Sequence, residues 1–83
     1  MPLTAEAKSK YLALQQDADF ALWRAREANM EARQAYQQHL AGQGQPPSEE
    51  QLQAIRDLEQ QAEARYRELR TFVREHFERA LVA

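Results

Sequence analysis

Helix-breaking residues are confined almost entirely to one short stretch of the chain. Both glycines and two of the three prolines lie in Gly42-Gln43-Gly44-Gln45-Pro46-Pro47. On either side run two long segments with no Gly or Pro, from Thr4 to about Ala41 and from Glu49 to about Leu81. Nearly every residue in them is a good helix former. A Gly/Pro cluster between two such segments predicts two helices and one turn. Gly42 suits the left-handed position that ends a helix, and the prolines forbid its continuation. Thr4 suits an N-cap, with Glu6 in the first turn. Ser48-Glu49-Glu50-Gln51 has the form of a capping box at the start of the second helix. At 1.5 Å per residue each helix spans about 50–55 Å, and a connection this short makes the two antiparallel. The expectation is an all-α chain: one domain over residues 1–83, a long coiled-coil-like two-helix hairpin.

The faces of the helices say how it closes. On helix 1 a three-four spacing runs through Tyr11, Leu14, Ala18, Ala21, Ala25, Ala28, Ala32 and Ala35, a seam made mostly of alanine. On helix 2 the stripe is bulkier: Leu52, Ile55, Leu58, Ala62, Tyr66, Leu69, Val73, Phe77 and Ala80. Small side chains on one helix facing large ones on the other allow close approach of the backbones. Folding about Gly44 makes facing residue numbers sum to roughly 89, which sets Ala25 near Ala64 and Tyr11 near the stretch from Glu75 to Glu78.

A second apolar set does not belong to that seam. Leu12, Phe20, Trp23 and Met30 fall on the far side of the helical wheel, and four large apolar residues over five turns form a patch. Phe72 and Leu81, with Val82, add to it near the open end. A chain of 83 residues buries only about 60% of its unfolded surface. It has no cysteine to staple it, which leaves association as its support. Burying three or four such side chains contributes roughly 1.5–3 kcal/mol each. The expected state is a homodimer that forms a four-helix bundle, with Phe20 and Trp23 as anchors.

Chemistry-bearing patterns are few. His39 lies near the turn and His76 near the open end, about 40 Å apart along the rod. Neither sits in a His-Glu-x-x-His or Glu-x-x-His pattern, so no metal site is expected. His39 near the end of helix 1 is placed to interact with the helix dipole. Ser9, Ser48, Thr4 and Thr71 have no histidine at a suggestive spacing, and Gly42 and Gly44 precede prolines rather than a phosphate-loop pattern. Glutamates alternate with arginines on helix 2, with Glu63 to Arg67 and Glu75 to Arg79 spaced as stabilising pairs. No enzyme activity and no cofactor are expected.

Charge is nearly balanced, with 11 basic and 13 acidic side chains. Arg56, Arg67, Arg70 and Arg74 share one sector of helix 2 and offer a nucleic-acid stripe as the alternative function, diluted by Glu59, Glu63 and Glu78. In architecture such a hairpin resembles the small RNA-binding hairpins of the Rop type, although no residue motif carries over. The N-terminal residues show no apolar run behind a cluster of positive charge, and no membrane span is expected. Together these features point to a cytoplasmic protein–protein interaction module, a small adaptor, chaperone or inhibitor of a partner protein.

Overall fold

The computed structural model describes residues 4–78. It is a rod of 62 × 17 × 16 Å made of two helices packed antiparallel. Helix α1 runs over Ala5–Leu40 and helix α2 over Glu49–Val73, and α2 continues into a single π-helical turn, Arg74–Glu78. The expected boundaries hold within one residue at both ends of α1 and at the start of α2. The far end of α2 differs, because the α-helical pattern gives way to wider π hydrogen bonding at Arg74.

The helix ends form as the residue types dictate. Thr4 Oγ1 accepts from the Ala7 amide at 3.0 Å. Ser48 Oγ accepts from the Gln51 amide at 3.1 Å, and Gln51 Oε1 accepts from the Ser48 amide at 2.8 Å, completing the capping box. At the end of α1 the Gln43 amide donates to Gln38 O at 2.7 Å and the Gly42 amide to His39 O at 3.0 Å. This paired arrangement needs a left-handed residue after the cap, and Gly42 supplies it with φ 81°. His39 closes the turn from the other side, its Nδ1 lying 3.2 Å from Gly44 O.

The seam closes on alanine. Ala18 is fully buried and Ala25 nearly so, and the other α1 seam positions from Tyr11 to Ala35 are half-buried. Across from them Ile55 and Ala62 are buried, while Leu52, Leu58, Tyr66, Leu69, Val73 and Phe77 are half-buried. The facing register is slightly shorter than expected at mid-rod, where Asp19 meets Tyr66, and close to expectation at the open end, where Tyr11 meets Phe77. Ala80 lies outside the described residues.

The π turn has a visible cause in the open-end aromatics. Phe77 packs edge-on against Tyr11 at 5.2 Å and against Phe72 at 6.1 Å, while His76 stacks on Phe72 at 4.2 Å. A wider turn advances fewer degrees per residue, which swings Phe77 back toward the seam after Phe72 has turned away from its centre. Lys10 caps this cluster, its ammonium 5.7 Å from the Phe72 ring centre. Because Ala18 has no room for added atoms, Ala18→Leu should destabilise the hairpin by roughly 1–3 kcal/mol, read as a lower urea midpoint at unchanged slope.

Candidate protein interaction surface

The outer face of α1 carries four large exposed apolar side chains. Leu12, Phe20, Trp23 and Met30 are exposed by 54%, 59%, 55% and 60%. At 100° per residue they centre about 160° around α1 from the buried seam, so they point away from α2. Phe20 and Trp23 are one turn apart and stack on each other, with ring centres 6.0 Å apart and planes 26° apart. That pairing holds the two rings in one raised ridge. A shallow groove beside it is lined by Phe20, Trp23, Arg24, Ala28, Glu31 and Leu58.

Phe72 does not belong to this surface. It is only 6% exposed, enclosed by His76, Phe77 and the Lys10 side chain. The wheel places it off the centre of the α2 stripe, but a ring that large reaches the seam from the flank, and the π turn folds His76 back over it. Leu81 and Val82, expected on the same face, lie outside the described residues. Two further exposed apolar residues, Tyr36 and Leu40, sit near the turn on the inner side of α1, beyond the cover of α2. The start of α2 leaves them uncovered, which the helical wheel alone did not indicate.

Charged groups frame the outer face in two rows. On one edge stand Lys8, Asp19, Arg26 and Arg33, and on the other Asp17, Arg24 and Glu31, all exposed. Asp19 also ties the hairpin together, since its Oδ1 accepts the Tyr66 hydroxyl at 2.6 Å. That hydrogen bond raises the Tyr66 pKa above its ordinary value. Desolvation and the Asp19 charge add to the rise, and Arg26 opposes it. This cross-hairpin bond could not be read from helical spacing, because it depends on the register at mid-rod.

On α2, Arg56, Arg67, Arg70 and Arg74 are all exposed. Arg67 is engaged by Glu63 at 3.1 Å, and Arg56 donates to Gln53 at 3.3 Å. Glu59 and Glu63 stand in or beside the same sector, both exposed. The row is therefore a mixed-charge surface rather than a basic track. Among the described residues no three His, Cys, Asp or Glu side chains gather as metal ligands, and no helix is long and apolar enough to cross a membrane. His76 Nδ1 lies 3.2 Å from Phe72 O, which together with its stacking gives it a packing role. No protein-family model, curated protein or solved structure matches the chain.

The Tyr66–Asp19 bond makes stability depend on pH in one direction. Its contribution is complete below the ordinary tyrosine value near 10 and is lost as pH rises through the raised value in the fold. Tyr66→Phe should therefore lower the urea midpoint at about pH 8 and flatten its further fall toward about pH 11, compared with the parent chain.

Proposed function

We propose that this chain is a non-enzymatic protein–protein interaction module that works as a homodimer and docks through the outer face of α1. One observation carries the reading. Four large apolar side chains stand more than half exposed on the face opposite the hairpin seam, two of them stacked into a rigid ridge. Buried rings of this kind are what anchors interfaces, whereas scattered single exposed residues carry no such meaning.

The thinness of the hairpin core supports the same reading. The five buried apolar residues among those described are Ala18, Ala25, Ile55, Ala62 and Phe72, and three of these are alanine. So little buried volume contributes little to offset the entropy of ordering two long helices. The chain exposes 6836 Å², where a globular monomer of its 9.7 kDa exposes roughly 5,100 Å². The excess, about 1,700 Å², exceeds the roughly 800 Å² that each partner contributes to a standard interface. Within that scheme the chain is an adaptor, chaperone or inhibitor, and the mixed Arg/Glu face of α2 is its solvated back. The pairing of Arg67 with Glu63 within the row weighs against a nucleic-acid role, because it dilutes the positive potential offered to phosphates.

The test is sedimentation of the parent chain and of the Phe20→Ala/Trp23→Ala variant. The parent should sediment at twice the chain mass and the variant at the chain mass, with both still helical by circular dichroism. Equal masses for the two would remove the outer face from the interface.

A further inference from the structure

Resting on the homodimer reading, we propose that the second copy packs against α1 antiparallel, with the two-fold axis crossing α1 at the level of Ala21 and Leu22. The inference comes from how the apolar and charged rows of the outer face map onto themselves. An antiparallel two-fold at that level sets residues whose numbers sum to about 43 opposite one another, one residue being 1.5 Å of helix. Phe20 then faces the partner's Trp23, and Leu12 lies within one residue of the level of the partner's Met30. All four apolar residues of the face are matched to an apolar residue on the other copy.

The charges choose between the two orientations of such a pair. In an antiparallel pair each edge of α1 meets the same edge of the partner helix. Asp19 then lies about 3 Å along the axis from the level of the partner's Arg26, and Asp17 equally near the partner's Arg24. The two-fold repeats each pairing. Lys8 meets the partner's Arg33 as a like-charge pair, at the ends of the contact where solvent screens it most.

In a parallel pair opposite edges meet at the same level. Asp19 is then brought beside the partner's Asp17 and Arg26 beside the partner's Arg24, with Glu27 facing its own copy. Lys8 with Glu6 and Arg33 with Glu31 become attractive, but only toward the ends. At the centre, beside the Phe20–Trp23 ridge, the parallel arrangement sets like charges together where desolvation makes them most costly. The antiparallel one sets opposite charges there.

The same geometry fixes how the four helices are arranged. In a square bundle each helix has two apolar faces about 90° apart. On α1 the two faces are about 160° apart, and none of the large apolar side chains exposed among the described residues lies on α2. The helices therefore lie in a flat row, α2 and α1 of one copy followed by α1 and α2 of the partner. A square bundle would leave either Leu12 and Met30 or the alanine seam uncovered.

Because the chain has no cysteine, introduced ones report the orientation directly. Gln16 and Glu27 are exposed on the outer face and sum to 43. Gln16→Cys and Glu27→Cys would be made separately in the full chain, then oxidised alone and after refolding together in equal amounts. In the antiparallel pair each cysteine lies about 16 Å along the axis from its own copy, beyond disulfide reach, and level with the other type. Each variant alone should stay uncrosslinked, and the mixture should yield disulfide dimers from about half the chains, the statistical share of mixed pairs. Efficient crosslinking of either variant alone would overturn the antiparallel pairing and leave the homodimer standing. Sedimentation as a dimer with no crosslink in any sample would place the interface elsewhere and overturn it as well. Sedimentation as a monomer would remove both the orientation and the homodimer reading.

Discussion

Everything in this rod depends on the seam where the alanines of α1 meet the larger side chains of α2. Alanine at Ala18 and Ala25 brings the two backbones together without a bulky layer between them. The larger Ile55, Leu58, Tyr66 and Leu69 fill the groove from the other side. The arrangement suits helix propensity, since alanine orders at little entropic cost. It also leaves a shallow core, because a methyl group removes little apolar surface from water. Aromatic packing is concentrated at the open end, where Tyr11, Phe72, His76 and Phe77 gather beside Lys10. The π turn is the local deformation that lets those rings meet.

A core that thin makes the outer face of α1 consequential. The stacked Phe20 and Trp23, with Leu12 above and Met30 below, leave four large apolar side chains more than half exposed. Both rows carry opposite charges near their middle, Asp19 with Arg26 and Asp17 with Arg24, as the proposed antiparallel copy would require. In the proposed homodimer α1 would be the shared centre, sandwiched between its own α2 and the partner's α1. In that arrangement the mixed-charge side of α2 would stay in solvent.

The hairpin was legible in the sequence because its determinants are local. Gly42, Pro46, Pro47 and the Ser48–Gln51 capping box act within a few residues of themselves, and each forms as its residue type requires. The alanine seam was equally legible, since a three-four spacing survives over many turns of one helix. Phe72 was misplaced because a helical wheel assigns every residue a direction but no reach, and because it assumes an α-helical phase that fails at Arg74. The Tyr66–Asp19 bond and the Lys10–Phe72 contact were illegible for a different reason. Both join side chains far apart in sequence, so they depend on a register that a small axial shift would change.

The central claim is that the hairpin draws stability from a second copy across the outer face of α1. Thermal unfolding of the parent chain over roughly a hundredfold range of protein concentration tests it most directly, since a dimer's midpoint follows mass action. The account requires the midpoint to rise steadily with concentration. A midpoint that stays constant over that range, in a chain that sediments as a monomer throughout, would contradict it.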